Sequence, residues 1–184
     1  MKSVVLCGSP RENGDTRALM EAMFETLEGE KRVFWAYKGE IGPCIDCRYC
    51  QTHAGCAVKD GFSELDRAIR ESRNIIIASP VYFSELTGPL LSLASRFQCY
   101  WSQRFFGKRE PLEGRRRGAI LLAGGGNGAP DKAIQTARAL LHMLNVGGVE
   151  EPVMSLLTDR LPAKADQKAL SAARELGARL SGGE

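Results

Sequence analysis

A run of apolar residues near the start of the chain, at positions 3–7, ends abruptly in a loop of small and hydroxyl-bearing side chains. An amphipathic helix pattern begins directly after this loop, with Leu19, Met20 and Met23 on its apolar face. A buried strand followed by a turn and a helix N-terminus forms an anion pocket, because free backbone N–H groups and the helix dipole point outward there. The stretch 3–17 therefore predicts a phosphate-binding loop.

The composition of this loop narrows the kind of phosphate it would bind. It lacks the Gly-Lys-Ser/Thr ending of a Walker A motif and the Gly-x-Gly-x-x-Gly pattern of a dinucleotide site, which favours a monophosphate. Arg11 and Arg17 would supply charge, and Ser9 and Thr16 would supply hydroxyl donors. The alternative is an ordinary strand-to-helix turn in which Asp15 or Thr16 caps the helix.

Composition and charge exclude several classes of function. The chain has 184 residues, of which 43% are hydrophobic and 26% charged, as in an ordinary globular protein. No apolar run approaches the roughly 20 residues needed to span a bilayer, and no signal-peptide pattern opens the chain, so we expect a cytoplasmic protein without membrane contact. The formal charge of +3 is mild, and the basic run 115–117 has no interleaved aromatics, so nucleic acid is not an expected partner.

Strand and helix patterns alternate along the whole chain, which predicts an α/β domain with a mostly parallel, doubly wound sheet. We expect one domain over 1–184, with a cysteine-rich insertion at about 42–60 that has no periodicity. Strands are predicted at about 3–8, 33–36, 74–80, 118–123 and 149–156, and helices at about 16–28, 62–72, 86–101, 130–144 and 163–181.

Three loops should converge, because ligands of such sheets bind beyond the carboxyl ends of the strands. These loops are Ser9–Thr16, Pro80–Ser84 and Gly124–Gly128. The second carries adjacent aromatics, Tyr82 and Phe83, that would border a flat ring, and the third allows close backbone approach because it is built of glycine. Simple packing of the two aromatics and a plain glycine loop are the alternative interpretations.

Four of the six cysteines lie close together, at Cys44, Cys47, Cys50 and Cys56. Their spacing suits one tetrahedral centre of four thiolates, such as a [4Fe–4S] cluster, and zinc with four sulfurs is also chemically possible. Unmetallated thiols or a disulfide are the third interpretation. We expect Cys7 and Cys99 to pack as small apolar residues, and His53 to be a solvated loop residue.

The motifs together resemble those of the NADPH-dependent FMN reductase family, most closely its iron–sulfur flavoprotein-like branch. The resemblance covers about residues 3–155 and rests on five motifs: Gly8-Ser9-Pro10-Arg11-x-x-Gly14-x-Thr16, Ser79-Pro80-Val81-Tyr82-Phe83, Gly88-Pro89-Leu90, Pro111-Leu112-x-Gly114 and Gly124-Gly125-Gly126. It implies a flavodoxin-like three-layer sandwich with a five-stranded parallel sheet of order 2-1-3-4-5. It also implies bound FMN, NAD(P)H as co-substrate, and a flavin, quinone, or other small-molecule or protein acceptor.

Site residues follow from the resemblance position by position. The FMN phosphate would be held by the loop residues Ser9, Arg11, Asn13, Gly14, Asp15, Thr16 and Arg17. The flavin ring would be bordered by Pro80, Val81, Tyr82 and Phe83, and contacted on its far side by Gly124, Gly125 and Gly126. The four clustered cysteines match the compact motif of the iron–sulfur flavoproteins. No catalytic side chain is predicted, because the flavin carries the chemistry.

Asp15 departs from the family pattern, which usually has Asn or Ser at this position. An ionised carboxylate cannot donate to a phosphate and repels it at short range. We therefore expect Asp15 to cap the helix with its side chain turned away, leaving its backbone N–H to bind.

The family commonly forms dimers across the flavin face, so a homodimer or a dimer of dimers is expected. The aromatic residues Tyr100, Trp101, Phe105 and Phe106 suggest a covered surface in that region, with intrachain packing as the alternative. Two other functions compete with the oxidoreductase. One is a flavodoxin-like electron carrier without its own substrate, and the other is a zinc-binding structural module.

Overall fold

Parallel strands form a central sheet in the order β2-β1-β3-β4-β5 in the computed structural model, which describes residues 1–126 and 129–182. The strands within these ranges are β1 Lys2–Cys7, β2 Glu30–Trp35, β3 Asn74–Pro80, β4 Arg116–Gly124, β5 Val146–Val149 and β6 Val153–Leu156. The flavodoxin-like α/β fold with strand order 2-1-3-4-5 is thus confirmed.

Helices cover both faces of the sheet. They are α1 Asp15–Phe24, α2 Tyr49–Thr52, α3 Phe62–Glu71, α4 Gly88–Ala94, α5 Gln98–Phe105, α6 Asp131–Met143 and α7 Gln167–Ser181, with short 3-10 helices at Ala36–Lys38, Ser95–Phe97 and Ala163–Ala165. None of the helices in the described ranges is long and apolar enough to cross a membrane.

Side chains of the strands alternate between two buried layers, as the pleat of a β-strand requires. Val4 and Leu6 of β1 pack into the layer that contains α3, α4 and α6, whereas Val5 and Cys7 pack into the layer that contains α1 and α7. The sheet is therefore buried on both sides, and its ligand-binding positions lie along its edges.

Two predicted elements are interrupted in the structure. The strand predicted at 149–156 is two short strands, and both pair with β4 in parallel. Between the two paired stretches, the two residues Ala119 and Ile120 of β4 lie opposite the three residues 150–152, which produces a bulge. Pro152 adds to the interruption because it has no backbone N–H to donate to the sheet. The five-stranded sheet that was predicted therefore has a sixth strand.

The helix predicted at 86–101 is broken into three parts, α4, the 3-10 turn Ser95–Phe97 and α5. The tightened turn lies where the Arg96 side chain is fully buried rather than solvated. The region therefore bends at a buried charge that the apolar pattern of the sequence did not indicate.

Candidate functional site

The loops after β1, β3 and β4 are fixed to one another by backbone hydrogen bonds that continue past the strand ends. The Gly8 N–H donates to the carbonyl of Ala78 at 2.8 Å, and the Val81 N–H donates to the carbonyl of Ala123 at 2.8 Å. Because each loop begins bonded to the neighbouring strand, the three loops start side by side at the carboxyl edge of the sheet.

A cavity of about 320 Å³ lies between these loops. The predicted site residues that line it are Ser9, Arg11, Asp15, Thr16, Pro80, Val81, Tyr82, Gly124 and Gly125. An adjoining cavity of about 260 Å³ is lined by Asn13 and Gly14, and the two cavities share Arg11, Asp15 and Thr158. Arg17, Phe83 and Gly126 line neither of these two cavities.

The first loop is ordered by its own polar groups. Ser9 is buried, and its hydroxyl accepts a hydrogen bond from the Arg11 backbone N–H at 3.2 Å. Thr16, in the first turn of α1, is also buried. The Arg11 side chain, by contrast, is 70% exposed at the edge of the cavity. The loop therefore brings hydroxyl groups, the N-terminal end of α1 and one guanidinium to the same place, which is a donor set that suits a phosphate.

Asp15 does not cap α1, so that part of the prediction was wrong. The N-cap is Gly14, and no side chain caps this helix. One carboxylate oxygen of Asp15 accepts the N–H of Ala163 at 2.9 Å, and the other accepts from the Arg11 guanidinium at 3.1 Å. The carboxylate is thereby engaged by two donors, because the 3-10 turn at Ala163 offers a free N–H within its reach.

Arg17 lies away from the loop. Its Nε donates to a carboxylate oxygen of Glu21 at 2.8 Å, and its guanidinium carbon lies 5.7 Å from the centroid of the Trp35 ring. Arg17 therefore packs between α1 and β2, whereas Arg11 is the arginine at the cavity.

Tyr82 and Glu85 close a tight two-residue turn at the end of β3. Their backbone groups exchange two hydrogen bonds, each 2.9 Å long, around Phe83 and Ser84. Both central residues are left-handed, with φ of 53° and 64° respectively, in a turn that usually takes Asn-Gly. Such backbone strain, about 1–3 kcal/mol per residue, is typical of ligand-binding positions. Phe83 is fully exposed beside Tyr82, at the rim of the site.

The loop after β6 contributes a fourth side to the cavity, and the sequence analysis missed it. The Thr158 N–H donates to the carbonyl of Gly124 at 3.0 Å, and Asp159 also lines the cavity. A Cβ on Gly125 would lie 2.6 Å from the Asp159 carboxylate, so the Asp159 side chain packs directly against the Gly125 backbone. The strand-end rule applied to the predicted strand 149–156 would have pointed to this loop.

The four clustered cysteines line a second cavity, of about 280 Å³, together with Cys99, Arg96 and Trp101. Cys44 and Cys47 are exposed, whereas Cys50 and Cys56 are half-buried and pack against the core. Within the described ranges, no group of three or more His, Cys, Asp or Glu side chains converges closely enough to hold a metal ion. Four thiolates are the ligand set of an iron–sulfur cluster and also one of the ligand sets of structural zinc, and all four of these thiols line the same cavity.

The backbone of the cysteine segment winds tightly around this cavity. One non-glycine residue between each successive pair of the first three cysteines is left-handed, Asp46 with φ of 48° and Arg48 with φ of 61°. These turns direct consecutive cysteines to the same cavity, at the cost of local strain.

The remaining cysteines and the aromatic segment divide between core and surface. Burial raises the pKa of Cys7 to about 11 and also raises the pKa of Cys99, so both thiols are neutral at physiological pH and pack in the interior as expected. Tyr100 is buried, and its hydroxyl donates to Asp66 at 2.8 Å. The other aromatics of this segment, Trp101, Phe105 and Phe106, are exposed and stack on one another with ring centroids 5.0–5.6 Å apart.

Comparison with known proteins agrees with this arrangement. The fold is that of the flavodoxin-like NAD(P)H oxidoreductases: an NAD(P)H:quinone oxidoreductase from Methanothermobacter marburgensis superimposes with a TM-score of 0.73 at 17% identity, covering 100% of this chain and 98% of that one. An NADH:FMN oxidoreductase in its apo form gives a TM-score of 0.65 at 15% identity, covering 98% of this chain and 88% of that one.

Sequence comparison defines the family. The family model for NADPH-dependent FMN reductase matches residues 1–157. An iron–sulfur flavoprotein from Archaeoglobus fulgidus is 27% identical, with 98% of this chain and 79% of the relative covered. An iron–sulfur flavoprotein from Methanocaldococcus jannaschii is 28% identical, with 98% and 96% covered. The chain belongs to the NADPH-dependent FMN reductase family and is an FMN-dependent oxidoreductase.

Proposed function

We propose that the protein takes electrons from NAD(P)H and passes them to a quinone, a free flavin, or another small-molecule or protein acceptor. The observation that carries this proposal is the cavity of about 320 Å³, into which the three predicted loops converge beside an exposed aromatic turn. The solved quinone oxidoreductase with the same fold supports this class of acceptor. FMN supplies the redox chemistry when bound, so the chain contributes binding and access rather than a nucleophile or a base.

The residues around the cavity have separable roles in this proposal. The buried hydroxyls of Ser9 and Thr16, the Arg11 guanidinium and the backbone amides of residues 13–16 hold the phosphate. Pro80, Val81, Tyr82 and Phe83 border the ring on one side, and Gly124, Gly125 and Gly126 approach it on the other. The bond from Arg11 to Asp15 offsets the negative charge of the carboxylate next to the phosphate position.

A steady-state assay separates the enzyme from a flavodoxin-like carrier. We expect the FMN-loaded protein to oxidise NADPH or NADH with a quinone acceptor well above the rate given by the same concentration of free FMN. The protein without FMN is the matched control. A rate no higher than that of free FMN would contradict the proposal and favour the carrier.

Arg11 in the first loop and Arg17 in α1 together give a test of phosphate binding. Arg11→Ala should raise the dissociation constant of FMN by about tenfold or more, because it removes a charged donor and leaves the Asp15 carboxylate without its cation. Arg17→Ala should change it less than about twofold, because Arg17 is engaged with Glu21. Fluorescence titration with FMN measures the dissociation constant of each variant.

Riboflavin, which lacks the phosphate, is the ligand control for this pair. Its affinity should be the same in Arg11→Ala as in the unchanged protein. Equal losses of FMN affinity in the two arginine variants, or a matching loss for riboflavin, would place the phosphate elsewhere.

We also propose that Cys44, Cys47, Cys50 and Cys56 bind a [4Fe–4S] cluster. All four line one cavity, four thiolates are the ligand set of such a cluster, and two related proteins are named iron–sulfur flavoproteins. After anaerobic reconstitution with iron and sulfide, we expect about four iron ions per chain. Cys47→Ser should lose this iron and retain FMN, whereas Cys99→Ser, a change in the same cavity outside the set of four, should retain both.

Two results would contradict the cluster. One is stoichiometric zinc without iron in protein purified anaerobically, which would support a zinc-binding module. The other is full alkylation of all four thiols in protein that has been through the same reconstitution.

We further propose a homodimer, or a dimer of dimers, in which the exposed cluster Trp101, Phe105 and Phe106 is covered by a second copy. Three stacked aromatics in water leave an apolar patch that association would bury. Sedimentation velocity should give at least twice the mass of the chain, and Phe105→Asp should shift the protein toward the monomer. A monomer at all concentrations would contradict this.

The cytoplasmic location stays a prediction from the sequence.

A further inference from the structure

Arg96 is the most deeply buried charge next to the cysteine cavity. Its side chain is completely inaccessible to solvent, although the sequence pattern placed it within an amphipathic helix. Burying a guanidinium costs free energy unless its charge is paired and its N–H groups are hydrogen-bonded. The partners of Arg96 therefore indicate the role of this residue.

Among the described residues, the hydrogen-bond partners of the Arg96 side chain all lie on the cysteine segment. One terminal nitrogen donates to Asp60 at 2.7 Å and to the carbonyl of Gly42 at 3.1 Å. The other donates to the Cys56 sulfur at 3.3 Å and to the carbonyl of Val58 at 3.4 Å. A single planar group therefore joins the two ends of the segment that carries the four cysteines.

Two further hydrogen bonds hold the two ends of the cysteine segment together and against the rest of the protein. The Asp60 carboxylate accepts the Gly42 N–H at 3.0 Å, so the two ends are also bonded to each other. Ser95, the neighbour of Arg96, accepts the Cys44 N–H at 2.9 Å. The segment is thus closed at its base and held against the end of α4 by contacts within the protein.

One donor of Arg96 has no partner. Its Nε–H is buried and has no acceptor among the described residues. Arg96 is among the residues that line the cysteine cavity, so its guanidinium lies beside any sulfur bound there.

We propose that Arg96 is a positioning residue for the four-cysteine site, which closes the segment 42–60 and fixes a positive charge against the Cys56 sulfur. The closing role rests on the contacts alone, whereas the charge role rests on the cluster proposed above. A fixed cation beside a ligand sulfur stabilises the reduced, more negative form of a cluster and so raises its reduction potential.

Hydrogen exchange on the cluster-free protein tests the closing role. Arg96→Met removes the charge and the donors while keeping an apolar stem, and Arg96→Lys keeps the charge but cannot span the four acceptors. Both should exchange the backbone amides of residues 42–60 about tenfold faster or more. Arg104→Met is the control, because Arg104 pairs with Glu110 and should leave this segment unchanged. Unchanged protection in Arg96→Lys would overturn the closing role, even if Arg96→Met does not fold.

Potentiometry on the reconstituted protein tests the charge role. The midpoint potential of the cluster should become more negative in Arg96→Met, while Arg96→Lys should stay near the unchanged protein. An unchanged midpoint potential in Arg96→Met with the cluster intact would overturn the charge role and leave Arg96 with a structural role only. If the unchanged protein takes up no cluster, the cluster proposal and the charge role fall with it, and the exchange measurement decides the closing role independently.

Discussion

The candidate flavin site depends on hydrogen bonds that continue the parallel sheet beyond its strands. The Gly8 N–H bonds to Ala78, and the Thr158 N–H bonds to Gly124, so consecutive loops are joined at the point where they leave the sheet. A Cβ on Gly8 would lie 2.7 Å from the Thr87 hydroxyl, which itself donates to the Gly8 carbonyl at 2.8 Å. The loops cannot separate without breaking backbone pairing, which fixes the walls of the cavity relative to one another.

Local patterns in the sequence were sufficient to predict the fold and three of the loops that line the cavity. A run such as Asn74–Pro80 is buried on both faces and ends at a proline, so it could be read directly as a central parallel strand, and the loops followed from the strand ends. The fourth side, at Thr158 and Asp159, was missed because its polar residues carry no compositional signal, although the end of the predicted strand 149–156 pointed to this loop. Its position depends on the pairing of β6 with β4, which is a tertiary fact.

The hydrogen-bond and ion-pair partners of individual side chains could not be predicted from the sequence. Arg11 and Arg17 are both predicted phosphate ligands, yet they lie in different elements. Arg11 is in the loop before α1 and lines the cavity, whereas Arg17 is in the first turn of α1 and pairs with Glu21. Arg96 gave no signal either, since an isolated arginine in a helical pattern is usually solvated. Its burial becomes apparent only when the segment 42–60 folds over it.

The helix α4 links the two sites physically. At its N-terminal end the Thr87 hydroxyl is bonded to Gly8 of the first loop, and at its C-terminal end Ser95 accepts the N–H of Cys44. Seven helical residues rise by about 10 Å, so this rigid spacer sets the distance between the anchor points of the loop and of the cysteine segment. Neither anchor moves independently of the core, because Leu90 and Leu93 of the same helix are buried in it. Electron transfer between the flavin and the cluster proposed above would need a fixed separation, and this short helix would provide it with side chains that do no chemistry themselves.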